Sequence, residues 1–228
     1  MTLYQYPPQT ALKRVVPKNR IYDGTNASTA LRERLTREVD QITWAHKLAP
    51  ETLNLPATSA VPEIQVFRVT LKGDALHDDV LRAIDRAVPF PLIFELVAGG
   101  RIQPVAAYKR PSEADHGKWV VSDHLHGDWA QQDSPRQPLP VAVNLGALYD
   151  RMLSALLPVA PVPGEDMETR LARLAAIRAK EREIAQLQSK LRRESQFNIK
   201  VTLHGQLAEA QAAFDHMKDP SETGGGQP

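Results

Sequence analysis

The chain contains no cysteine, which excludes disulfides, thiolate nucleophiles and cysteine-ligated zinc or iron-sulfur centres. It has no apolar run of the ~18–20 residues that a membrane span needs. Its first residues, Met1 to Arg14, lack the apolar stretch of a secretory signal. With 28 basic and 27 acidic residues the formal net charge is +1, so any contact with nucleic acid has to come from local clusters of charge. No glycine-rich phosphate loop, Ser-His-Asp motif or HExxH motif is present. A reducing, cytoplasmic setting and no cofactor are the expectations that follow.

What is present is concentrated between Glu63 and Arg110. Residues 62–72 alternate as a strand carrying apolar residues on both faces, which places it centrally in a sheet. Residues 77–88 space Val80, Leu81, Ile84 and Val88 for one helical face, with Asp78 and Asp79 in the first turn, where the helix dipole favours negative charge. The dipeptide Gly99-Gly100 predicts a two-residue hairpin in which Phe94 faces Val105, Ile93 faces Ala106 and Glu95 faces Pro104. A further strand is predicted at 118–122. Upstream, Leu31, Leu35, Val39 and Ile42 predict one helix over 29–46, and downstream 143–157 reads as another helix. The fold class is α+β or α/β: a small mixed sheet with flanking helices, followed by a long C-terminal helix or a helical hairpin.

The expected organisation is an extended basic arm over 1–22, an α/β core over 23–157, and a proline-rich linker over 158–164. A coiled-coil-like helical segment over 165–218 and a disordered tail over 219–228 follow. In the helical segment Leu171, Leu174, Ile177, Ile184, Leu187 and Leu191 recur near heptad spacing, and Phe197 and Val201 continue the stripe. Such a stripe buries against a partner protein, against a second copy of the chain, or against its own continuation as a hairpin bent near Val201–Gly205.

The chemistry-bearing residues form no complete set. Glu63 and Gln65 stand in the spacing of the Glu-x-Lys pair of metal-dependent nucleases, but Gln cannot supply the cation. Glu95 and Lys109, with Tyr108, lie on adjoining predicted strands and are the remaining weak catalytic candidates. His116, Asp123, His124, His126 and Asp128 cluster along one loop without the spacing of a metal motif, and no metal is expected. Lys13, Arg14, Lys18 and Arg20 in the arm, with Trp44 and Lys47, are candidates for nucleic-acid contact.

One resemblance rests on particular stretches: Val16-Pro17-Lys18-Asn19-Arg20-Ile21-Tyr22; Ile42, Trp44, Lys47, Leu48, Pro50, Thr52, Asn54 and Leu55; Glu63-Ile64-Gln65-Val66-Phe67; Ile84-Asp85 with Val88-Pro89; Ala107-Tyr108-Lys109; and Ser195-Gln196-Phe197-Asn198 with Lys200-Val201. Together they resemble an uncharacterised bacterial family, a domain of unknown function, over about 16–214. The resemblance implies a genomic neighbourhood of helicase-like ATPases and DNA methyltransferases in restriction-like phage-defence loci, and it carries no catalytic residues. It gives the expectation of a non-catalytic accessory subunit that binds such a partner protein. The alternative is a DNA-binding or metal-dependent nuclease subunit of the same kind of system.

Overall fold

The computed structural model describes residues 3–115 and 118–218. The chain divides into two compact units, one ending at Leu157 and one beginning at Pro158. The first unit contains, in order, β1 (Tyr4–Gln5), a short 3-10 turn (Pro8–Thr10), β2 (Ala11–Val15), α1 (Lys18–Thr25), α2 (Thr29–Glu38), β3 (Val39–Leu48), α3 (Pro50–Leu53) and β4 (Ile64–Leu71). It continues with α4 (Asp78–Ala87), β5 (Leu92–Ala98), β6 (Arg101–Pro111), β7 (Trp119–His126), β8 (Ala130–Gln131), β9 (Gln137–Pro138) and α5 (Leu145–Ser154). This is a mixed α/β fold with a mixed sheet and flanking helices.

The main sheet runs β2-β3-β4-β5-β6-β7, with β8 also on β6, while β1 and β9 form a separate parallel pair. Strands β4 and β5 are parallel and joined through α4, and the other neighbours in the main sheet are antiparallel. The hairpin has the expected register, Phe94 to Val105, Ile93 to Ala106 and Glu95 to Pro104. Gly99 and Gly100 adopt φ of 54° and 75° at its tip, angles that residues without a Cβ reach readily.

One face of the sheet carries the main core. Ile42 of β3, Phe67 and Val69 of β4, Phe94 and Leu96 of β5 and Val105 of β6 pack with Ile21 of α1, Leu35 of α2 and Val80, Leu81 and Ile84 of α4. The adjacent positions on β4 and β5, Arg68 and Glu95, therefore point to the opposite face, as alternation along a strand requires.

Two expectations are corrected. The helix read over 29–46 ends at Glu38, and Val39–Leu48 is strand β3. The strand carries irregularities between Val39 and Gln41 and between Trp44 and His46. Each bulge adds one residue to the count, so Val39, Ile42, Ala45 and Leu48 are buried every third position, a spacing that imitates a helix stripe. The arm expected to stay extended to residue 22 instead pairs as edge strand β2 and then enters α1 at Lys18 behind Pro17. Proline constrains the residue before it and is tolerated at a helix start, so it ended the extended part of the arm five residues earlier than expected.

The second unit holds α6 (Met167–Arg193) and α7 (Phe197–Lys218). Asp166 caps α6 by accepting from the Thr169 amide at 2.8 Å, and the Glu194 carboxylate accepts from the Ser195 and Gln196 amides in the turn that separates the helices. The segment is thus two packed helices, with Ile184, Leu187 and Ala210 buried and Leu203, Leu207 and Phe214 against them. The break lies at 194–196, and Val201–Gly205, where a bend was expected, is continuous helix. No helix among the described residues is long and apolar enough to cross a membrane. The predicted tail, 219–228, lies outside the described residues.

Candidate functional site

Two buried carboxylates sit on opposite faces of the sheet, and each gathers a polar cluster. On the helix-covered face, α4 carries Asp85 four residues after Leu81, in line with its apolar stripe. Asp85 Oδ2 lies 2.8 Å from His124 Nε2 of β7, and Lys109 Nζ of β6 stands 3.9 Å from Asp85 Oδ1. Lys109 donates to the carbonyls of Asp85 and Val88 at the end of α4, where a cation meets both the unpaired carbonyls and the negative end of the helix dipole. Tyr149 of α5 donates to Ala107 O at 2.6 Å and accepts from the Lys109 amide at 3.1 Å.

Burial pushes the Lys109 ammonium down to about 8, with Asp85 opposing the shift. Burial, reinforced by Asp85, raises the Tyr149 phenol well above its usual range. Asp85 Oδ1 and His124 Nδ1 are buried without a hydrogen bond. His124, Asp85 and Lys109 are all at most 5% exposed, and the cluster ties α4 to β6 and β7.

On the opposite face Glu95 is 1% exposed. Its Oε2 accepts from Arg68 Nε at 3.2 Å and Nη2 at 2.7 Å, and its Oε1 accepts from Arg136 Nη1 at 2.6 Å. Arg136 Nη1 also donates to Tyr4 O at 2.9 Å, tying the N-terminal strand down. Tyr6 stacks on His46 with ring centroids 4.6 Å apart, and Thr10 Oγ1 is 2.9 Å from His46 Nδ1. Burial pushes the His46 imidazole down, and Arg68, Arg136 and Lys13 push it further against the opposing pull of Glu95. Burial raises the Tyr6 phenol well above its usual range, with Glu95 adding to it.

The remaining predicted residues lie apart from these two clusters or at their edge. Glu63 accepts from Gln65 Nε2 at 2.5 Å and pairs with Lys47 at 3.2 Å, while Lys47 also binds Glu51 at 2.7 Å. Trp44 donates to His46 O at 3.0 Å and packs on the core, and Lys18 donates to Val39 O at 2.5 Å. Lys13, Arg14 and Arg20 are exposed. Lys13 has φ of 52° within a bulge of β2.

His124 and His126 share one face of β7 but meet different aspartates of α4: His124 pairs with Asp85, and His126 Nε2 lies 3.5 Å from Asp78. Asp123 is held by Arg82 at 3.2 Å, and His116 lies outside the described residues. Among the described residues no group of three or more His, Asp or Glu is placed to hold a metal ion. In the helical unit Leu174, Ile177, Ile184 and Leu187 are buried and Leu171 and Leu191 half-buried, whereas Phe197 is 81% and Val201 55% exposed.

Asp85, His124, Tyr149, Arg68 and Arg136 join Lys109 and Glu95 in the two clusters; of these five, sequence reasoning singled out only His124 as chemistry, meeting Asp85 as part of a family stretch and Tyr149 as a core position. Asp85 did carry a signal, a carboxylate at a position of the α4 stripe that spacing assigns to the core. Arg136, in an irregular loop, carried none. No curated protein and no solved structure matches the chain. A family model, domain of unknown function (DUF4391), matches residues 5–214. That match spans nearly the whole chain, and the protein belongs to this family of uncharacterised domains.

Proposed function

We propose that the protein is a non-catalytic interaction subunit that docks onto a larger partner through its helical unit. The reading is supported by α7 having two apolar flanks. One, Leu203, Leu207, Ala210 and Phe214, packs on α6. Projected at about 100° per residue, Phe197 and Val201 lie well off that stripe, and both are exposed. The same outer flank continues through Gly205, Ala208 and Ala212, also exposed. Small residues beside two large apolar ones let another helix or surface approach closely, and an exposed apolar strip rimmed by polar residues is the composition of a docking surface.

The absence of a catalytic reading is consistent with this. Glu63, Glu95 and Lys109 each hold a structural partner, as described above. The resemblance to a family encoded in restriction-like or phage-defence loci suggests the partner, a helicase-like ATPase or a DNA methyltransferase from the same locus.

The test is co-expression with each of those two proteins, comparing the full chain with Phe197→Glu/Val201→Glu. The double variant removes only exposed side chains, so its thermal unfolding should match the parent while co-purification is lost. Self-association through this flank with neither partner bound would overturn the reading, as would undiminished co-purification of the variant.

A further inference from the structure

On the face of the sheet away from α1, α2 and α4, one row of residues crosses five strands: Val15, Thr43, Arg68, Glu95 and Pro104. The Glu95 end is sealed, Glu95 being 1% exposed, while the Val15 end is open, with Val15 54% exposed. Gln41 is exposed and Thr43 and Thr70 are half-buried along the open part. Arg68 sits at the boundary, its side chain 38% exposed, and Arg136 is 23% exposed.

We propose that Arg68 and Arg136, joined by Lys13 from the bulge of β2, form a binding site for a phosphate group. This inference is independent of docking through α7. The charges do not balance: two guanidiniums share the one carboxylate of Glu95, leaving one positive charge in excess. A single arginine would neutralise Glu95; the second leaves a net positive charge on side chains that reach the surface, where an anionic ligand can meet it. Among the described residues, Arg68 Nη1 and Arg136 Nη2 have no protein acceptor.

Glu95 also does something that a surface carboxylate could not. Because it is buried and takes one arginine on each oxygen, it fixes the orientation of two long side chains before any ligand arrives. Ordering such side chains is a large part of what binding otherwise has to overcome. Planar guanidiniums with free N–H groups suit the paired oxygens of a phosphate.

Lys13 is the third cation. The bulge in β2 falls between Ala11, which pairs with His46, and Arg14, which pairs with Trp44. Lys13 is held there at φ of 52°, a conformation that lysine adopts at an energetic cost. Bulges of this kind re-aim a side chain at a sheet edge. His46, next to the bulge, has its pKa lowered by burial and then by the same three cations, Arg68, Arg136 and Lys13, so the three share one electrostatic neighbourhood.

The phosphate could belong to a nucleic-acid backbone or to a small phosphate compound, and two probes separate these sources. The full chain is titrated with a labelled single-stranded oligonucleotide by fluorescence anisotropy, and with inorganic pyrophosphate by calorimetry, at low and at moderate salt. At least one probe should bind with an affinity that falls as salt rises. Binding of the oligonucleotide alone assigns the backbone, and binding of pyrophosphate assigns the small phosphate. Lys13→Glu should weaken the bound probe by about tenfold or more, on the order of one charge-assisted contact. Arg20→Glu, the same charge change on an exposed residue of α1, should leave it within about twofold. No binding of either probe at low salt, or equal weakening by the two variants, overturns the site.

Discussion

Asp85 and Glu95 are equally buried, each 1% exposed, on opposite faces of one sheet, yet their surroundings differ in kind. The cations at Asp85 are sealed in with it: the Lys109 side chain is 1% exposed and that of His124 is fully enclosed. The cations at Glu95 reach water, with Arg68 and Arg136 side chains 38% and 23% exposed. A buried carboxylate whose partners are all buried stabilises an architecture. One whose partners extend to the surface aims those partners at the surface. Burial of the acid alone does not separate the two cases; the exposure of what it holds does.

The contrast breaks if the two carboxylates respond alike to removal. Asp85→Ala leaves the Lys109 ammonium buried without its counter-charge and His124 Nε2 without its acceptor, and should destabilise the first unit by about 3–5 kcal/mol. Glu95→Ala leaves two arginines that can turn to solvent, and should cost about 1–3 kcal/mol. Urea denaturation of both variants, followed by tryptophan fluorescence, measures the difference. Equal losses would mean that the Glu95 cluster is as sealed as the other.

The pH dependence sharpens the same comparison, since the Asp85 cluster contains Lys109, a lysine with a strongly depressed pKa. Lys109 falls to about 8 from 10.5 because it is buried. Between those two values the unfolded chain holds a proton that the folded chain has released, so raising the pH favours folding. The contribution, absent below about pH 8, grows to at most about 3 kcal/mol by pH 10.5. Tyr6 and Tyr149, whose pKa values are raised well above 10, act oppositely from about pH 10 upward, because the unfolded chain then loses phenolic protons that the folded chain keeps. The clean window is therefore about pH 8 to 9.5. Denaturation midpoints should rise more steeply across it in the parent than in Lys109→Met, where Lys18, also lowered by burial, keeps a smaller slope; a parent profile no steeper than that of the variant rejects the assignment.

How far the sequence disclosed this varies by element for identifiable reasons. The β5–β6 hairpin was legible to the residue because Gly99-Gly100 fixes both loop length and register. Helix α4 was legible because its apolar spacing is clean. Strand β3 was misread because two bulges stretched its buried positions to every third residue, which alternation rules do not anticipate. The hairpin of α6 and α7 was one of the stated possibilities, with its turn placed several residues too late, since Val201–Gly205 looks like weak helix while the turn at 194–196 shows only polar residues. At the site, Glu95 and Lys109 were visible as chemistry, but their partners were not. Asp85 and His124 meet across 39 residues, and Glu95 and Arg136 across 41. Pairings of that separation are made by the sheet and leave no local pattern.

The smallest effect separates what Lys13 does for the fold from what it does at the surface. Its backbone sits at φ of 52°, where a side chain is disfavoured and glycine is not, and its side chain is exposed. Lys13→Gly should therefore stabilise the first unit slightly, by about 0.5–1 kcal/mol, by relieving the strained position. Lys13→Ala keeps the strain, removes the charge and should leave stability unchanged. If the lysine is there to meet a phosphate, both variants weaken the salt-sensitive binding to a similar extent while their stabilities diverge. A residue retained only for the bulge predicts the same divergence in stability with binding untouched. Thermal denaturation and anisotropy on the same two proteins distinguish these outcomes, and they show whether the open side of Glu95 is kept for a ligand.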